Sequence, residues 1–173
     1  MILKRFILFL LIFIITVYLG WNNGYRINIT PSAPIGLWKI TGPFNLSKDK
    51  GQYAYIIVPN TPVFKEARNR NYLNFGFSKS GIQPLLKKIV GIPGDNVVVS
   101  QKGVYINGCL VPQSQPKMTD RSNRILPLAK SVVLNKDSVW AMSDSNENSF
   151  DSRYFGPIQV TYLKGVCKPV YVR

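Results

Sequence analysis

Ser32 stands in Pro31-Ser32-Ala33-Pro34, Lys87 and Lys88 stand in the apolar run Leu85-Leu86-Lys87-Lys88-Ile89-Val90, and the chain contains no histidine. That absence removes the usual general base, the commonest zinc ligand and the His-paired cysteine nucleophile together. Lys, Tyr, Asp and Glu remain as bases. A hydrolase built from them must lower a lysine pKa or raise a carboxylate pKa, and the lysine is the better placed. A serine with a lysine on a later apolar strand points to Ser/Lys rather than Ser/His/Asp chemistry.

Taken singly, these residues are ordinary. A serine between prolines is usually a turn residue, although the restricted backbone would hold its hydroxyl in a fixed direction. On a strand Lys87 shares a face with Leu85 and Ile89, and Lys88 shares the other with Leu86 and Val90, so periodicity does not choose between them. A lysine on an apolar face loses solvation, which lowers its pKa toward the neutral amine that a base requires. The fall needed is about 2–3, a cost of ~3–4 kcal/mol. The alternative is an edge strand defended by surface lysines.

The elements that must position these residues begin with an apolar run, Phe6 to Leu19, which follows Lys4-Arg5 and continues to Trp21. With Met1 to Leu3 included, it approaches the ~20 residues of a membrane span. A cleaved export signal would need small residues near Leu19 and Gly20, and none form an Ala-x-Ala-like pair. Residues 1–21 are therefore read as an uncleaved anchor with its short basic end inside, and residues 22–173 as one translocated domain. Ser32 falls eleven residues after Trp21, at the membrane surface.

Beyond the anchor, short apolar runs are cut by Gly, Pro and Asn, which argues for a mainly β domain. Strands are expected at Tyr53 to Val58, Leu85 to Val90, Val97 to Val99, Val132 to Leu134, Val139 to Met142, Ile158 to Tyr162 and Val170 to Val172. Asn107-Gly108 between Val104-Tyr105-Ile106 and Cys109-Leu110-Val111 predicts a hairpin. Phe64 to Leu73 is the one helix expected, and Pro112 to Pro116 a loop.

The 173 residues suit an anchor plus one domain, and 22 Lys and Arg against 8 Asp and Glu give a net charge of +14. The cations are spread along the chain, without RNA-binding or zinc-finger spacing. They suit a solvated basic surface that favours anionic lipid, and no nucleic acid is expected as a partner. Cys109 and Cys167 could pair outside the cytoplasm, where closing so long a loop would contribute ~4 kcal/mol, or they could remain buried thiols. Neither has the surroundings of a metal ligand or a nucleophile.

Three stretches together resemble the bacterial type I signal peptidase family. Lys87-Lys88-Ile89-Val90-Gly91-Ile92-Pro93-Gly94-Asp95 resembles its Lys-Arg-x-x-Gly-x-Pro-Gly-Asp box, which implies Lys87 as general base with Lys88 in the arginine's place. Asn148-Ser149-x-Asp151-Ser152-Arg153-Tyr154 resembles a second box, implying that Ser149 orients the lysine and that Asp151 and Arg153 support the site. Asn28-x-Thr30-x-Ser32-x-Pro34-x-Gly36 is similar to the nucleophile box of the conjugative-transfer (TraF-type) subfamily. That match implies Ser32 as nucleophile, with the Thr30 hydroxyl and the Ser32 N–H as oxyanion hole.

Two positions depart from the common pattern. Ser32 is followed by Ala33-Pro34, one residue shorter than the usual Ser-Met-x-Pro, and Ser143-Asp144 replaces Gly-Asp, where a side chain could crowd the lysine. The resemblance implies a signal-peptidase-like antiparallel β-sheet domain after one transmembrane helix, held in a bacterial inner membrane with its active site on the periplasmic side. It also implies a serine endopeptidase that needs no cofactor or metal and cleaves exported precursors, with Ile29 and Leu86 lining pockets for small side chains. The subfamily adds a conjugative pilin precursor as substrate and the option of joining the new ends into a ring. The rival reading is an inactive, anchored assembly protein of the secretion apparatus.

Overall fold

The computed structural model describes residues 2–173. It opens with helix α1 (Ile2–Asn22), whose 21 residues rise about 30 Å, enough to cross a bilayer, and none of which is buried against the rest of the protein. The Gly24 N–H donates to the Trp21 carbonyl and closes the helix end. Strand β1 (Tyr25–Asn28) follows at once. The Arg26 guanidinium donates to the Trp21 carbonyl at 2.8 Å and lies 3.7 Å from the Trp21 ring centroid, fastening the helix to the first strand.

The chain then runs through β2 (Gly36–Gly42), β3 (Tyr53–Ile56), α2 (Pro62–Asn69), β4 (Leu85–Gly91), β5 (Asn96–Ser100), β6 (Gly103–Ile106) and β7 (Cys109–Leu110). It finishes with β8 (Val132–Val133), β9 (Ser138–Met142), α3 (Ser152–Phe155), β10 (Ile158–Gln159), a 3-10 turn (Val160–Tyr162) and β11 (Leu163–Val172). A seven-stranded sheet has the order β1-β2-β11-β3-β4-β9-β10, and a four-stranded sheet has the order β7-β6-β5-β8. Every pairing is antiparallel. The domain is mainly β with one N-terminal helix, as the sequence leads one to expect.

All five residues of β9 are buried because both of its faces are covered. Val139 and Ala141 join Ala54, Ile56, Ile89, Phe64 and Tyr154 in a core beneath α2 and α3. Trp140 and Met142 face the smaller sheet and pack on Val97, Val104 and Leu134. Lys87 shares the Ile89 face of β4 and pairs in register with Ala54, so its side chain enters the first of these cores.

Several expectations need correction. β1 and β2 carry no strong apolar alternation and gain their strand conformation from pairing, with β2 held between β1 and β11. Gly36 is required there because a Cβ would lie 2.1 Å from the Tyr171 carbonyl oxygen. The helix expected over Phe64 to Leu73 starts at Pro62, whose fixed φ suits a first turn, and stops at Asn69, before Asn71 takes φ 60°. The strand expected over Ile158 to Tyr162 turns into the 3-10 turn after Gln159, while the one expected at Val170 to Val172 runs back to Leu163. Pro169 is accommodated in β11 because only β2 pairs with that part of the strand. The Asn107-Gly108 turn is present with φ 51° and 82°.

Cys109, exposed on β7, and Cys167, buried on β11, lie in different sheets and are both free. Burial pushes the Cys167 thiol up to about 12, so it behaves as a packed apolar group.

Arg153 and Asp151 are both fully buried. The guanidinium is bidentate on Asp151, with Nε to Oδ1 at 2.8 Å and Nη2 to Oδ2 at 3.0 Å. Its Nη1 also donates to the carbonyls of Gln113 (2.9 Å) and Glu147 (3.2 Å), so one side chain joins α3 to two loops. Lysine cannot reproduce that fork. Arg153→Lys should destabilise the protein by about 3–5 kcal/mol, read as a lower unfolding midpoint of the full chain in detergent. An unchanged midpoint would show that the loops are held by other contacts.

Candidate active site

Asn28, at the end of β1, shapes the turn that carries Ser32. Its amide nitrogen donates to the carbonyls of Thr30 (2.9 Å), Ala33 (2.9 Å) and Pro34 (3.0 Å). Its oxygen accepts from the Thr30 N–H (3.2 Å) and the Thr30 hydroxyl (3.0 Å). Three carbonyls on one side leave the amide a single sensible orientation. The Trp38 indole N–H also donates to the Pro34 carbonyl at 2.9 Å, and Ala33 is buried beside Trp38 and Leu86. Ser32 therefore sits half-buried on a turn fixed from both ends.

Lys87 comes from the other side. The residue is 2 % exposed, and its ammonium donates to Ser149 Oγ. Burial lowers its pKa to about 8; nearby Asp151 pulls it back up and Arg153 pushes it down. At pH 7 about one amine in ten is then neutral, against about one in a few thousand for a free lysine. Lys88 points elsewhere. It is partly exposed and pairs with Asp144 at 2.5 Å. The two lysines that periodicity leaves equivalent are separated by what covers each face of β4.

Ser143 is fully buried and is bonded through both its backbone and its hydroxyl. Its N–H donates to Asp151 Oδ2 at 3.1 Å, and its hydroxyl accepts from the Asn146 N–H at 3.1 Å. That residue shapes the turn leading to Ser149, whose N–H donates to the Asn146 carbonyl at 3.2 Å.

One cleft of about 360 Å³ is lined by Ile29, Thr30, Ser32, Leu86, Lys87 and Ser149 together. Asp151 and Arg153 lie behind it rather than on its wall. Among the described residues the Lys87 amine bonds to Ser149 and not to Ser32, and the Thr30 hydroxyl gives its proton to Asn28. The arrangement offers a hydroxyl on a rigid turn and an amine of lowered pKa, and catalytic hydrogen bonds commonly tighten only once substrate is bound. Nothing in the sequence marks out a role for Asn28 or Trp38. Asn28 was visible inside the Ser32 stretch, but only the folded turn reveals its five bonds.

The buried charge has a consequence for stability. A lysine whose pKa is lower folded than unfolded carries its full burial cost below the folded value, and that cost fades as pH rises to the unfolded value. For Lys87 the cost is ~3 kcal/mol below pH 8 and disappears toward ~10.4. Lys87→Met should raise the unfolding midpoint at pH 6, with a gain that shrinks between pH 8 and 10. A gain that is constant with pH would place the lysine's charge in water.

The family described as "Signal peptidase, peptidase S26" matches residues 1–172. A plasmid transfer protein TraF of Escherichia coli is 38% identical over 154 residues, which cover 87% of this chain and 84% of that protein. A conjugal transfer protein TraF of Agrobacterium tumefaciens is 36% identical, with 87% and 84% covered. A signal peptidase I of Enterococcus faecalis, a solved structure, aligns with a TM-score of 0.40 at 19% identity, over 74% of this chain and 98% of that one. That overlap is loose, and the assignment rests on the sequence relatives. The chain belongs to the signal peptidase family, peptidase S26.

Proposed function

We propose that this protein is a serine endopeptidase anchored in a bacterial inner membrane by residues 1–21, with residues 22–173 forming a catalytic domain on the periplasmic side. The observation that carries the reading is a buried lysine amine of lowered pKa in the same cleft as a serine on a pinned turn. Lys87 takes the Ser32 proton, Ser32 Oγ attacks the scissile carbonyl, and Lys87 returns a proton to the leaving amine. Ser149 orients the amine. The Ser32 N–H and the Thr30 hydroxyl stabilise the oxyanion, which requires Thr30 to release Asn28 as charge develops.

Leu86, 8 % exposed, and Ile29, 63 % exposed, line the pockets for small side chains before the cut. α1 and the spread of basic residues favour the lipid bilayer as a standing partner. The resemblance of the Ser32 stretch to the conjugative-transfer subfamily extends the proposal to a pilin precursor as the exported substrate, and the relatives named for plasmid and conjugal transfer support that direction.

Processing of a co-expressed pilin precursor, followed by mass spectrometry of its termini, tests this. Ser32→Ala should abolish cleavage while leaving the protein folded and membrane-bound. Lys87→Arg should do the same, because a guanidinium stays protonated. Lys88→Ala should keep a substantial fraction of activity. Normal processing by Ser32→Ala, in cells without another peptidase, would move the protein to the assembly reading.

A further inference from the structure

A second recess, of about 570 Å³, adjoins the catalytic cleft and has no part in the chemistry described so far. The two share Tyr72, Asn148 and Phe150 as a common wall. Asn148 and Phe150 flank Ser149, so the recess begins one residue from the partner of the Lys87 amine. Ile29 and Leu86 line the catalytic cleft but not this recess. The recess is thus reached from the cleft past Ser149, through a wall that includes neither Ile29 nor Leu86.

The recess is basic. Arg70, Lys117, Arg121 and Arg124 line it, against one carboxylate, Asp120. Asp120 is spent. Its Oδ1 accepts from the N–H groups of Ser122 (2.8 Å) and Arg124 (2.9 Å), and its Oδ2 from the Tyr72 hydroxyl (2.6 Å) and Arg124 Nε (2.7 Å). Arg70 and Lys117 reach Glu66 and Glu147, two exposed carboxylates outside the lining, at 2.5 and 3.2 Å. Arg121 has no ion-pair partner among the described residues, so one cationic group is left over in a recess floored by Phe150 and Tyr154. Arg121 is exposed at the recess it lines, and a free guanidinium there suits a carboxylate.

We propose that this recess is a subsite for the leaving segment of the substrate, and that it takes a carboxylate there, from an Asp or Glu side chain or from the chain end. The proposal rests on the peptidase reading, and its test is arranged so that the two can fail separately. Fluorescein-labelled peptides with Ala three residues and one residue before the cut carry one of four leaving segments: Ser-Glu-Gly amide, Ser-Gln-Gly amide, Ser-Lys-Gly amide, or Ser-Gln-Gly with a free carboxylate.

Binding to full-length Ser32→Ala protein in detergent micelles is read by anisotropy, and cleavage by wild type is read separately. A carboxylate-bearing peptide should bind about 5- to 10-fold tighter than Ser-Gln-Gly amide, a difference of ~1 kcal/mol. Which of the two carboxylate peptides gains identifies the source. Arg121→Glu should reverse the order and favour the lysine peptide, while the Ser-Gln-Gly amide affinity stays unchanged. Equal affinities for all four peptides, or no binding of any, would overturn the subsite. Binding in the expected order without cleavage by wild type would overturn the peptidase reading and leave the subsite supported.

Discussion

Keeping the Lys87 amine out of water is the constraint on which the site depends. An ammonium resists burial, and the protein meets that resistance with several kcal/mol of core packing around it. β4 lies between β3 and β9, so the lysine cannot swing out past an open edge. The Ile89 face on which it stands is closed by Ala54, Val139, Ala141 and the segment ending in α3. The ammonium donates one hydrogen bond to Ser149 Oγ, and Asp151 and Arg153 act on it in opposite senses. The result is an amine whose pKa is lowered to about 8 by its burial, without a histidine.

The other features follow from where that amine must point. Ser32 lies 55 residues before Lys87 and Ser149 lies 62 after it, so three separate segments converge on one cleft. Each is held by a different device. Asn28 and Trp38 pin the Ser32 turn through carbonyl oxygens, strand pairing fixes Lys87, and the Asp151–Arg153 pair holds the Ser149 loop against two neighbours. Small displacements of any of these side chains matter for proton transfer.

Much of this was readable from the chain. Runs such as Leu85 to Val90 and the Asn107-Gly108 turn announce themselves because burial on both faces and positive φ leave direct marks in sequence. β1 and β2 were not readable, because β2 takes its conformation from β11, some 130 residues away, and β1 takes its own from β2, rather than from any pattern of their own. The choice between Lys87 and Lys88 by residue pattern alone failed for a related reason: which face of β4 is dry depends on α2, α3 and β9, and only the motif resemblance favoured Lys87. The fate of the two cysteines likewise turned on sheet membership, which spacing does not encode.

The ionisation of the Lys87 amine can be observed directly. Full-length protein labelled with 13C at the lysine ε-carbon, titrated by NMR in detergent and assigned through Lys87→Arg, should show one lysine with an apparent pKa near 8 while the others titrate near the ordinary ~10.4. A Lys87 resonance that titrates with the rest would mean the amine is solvated and would contradict its use as the base for Ser32.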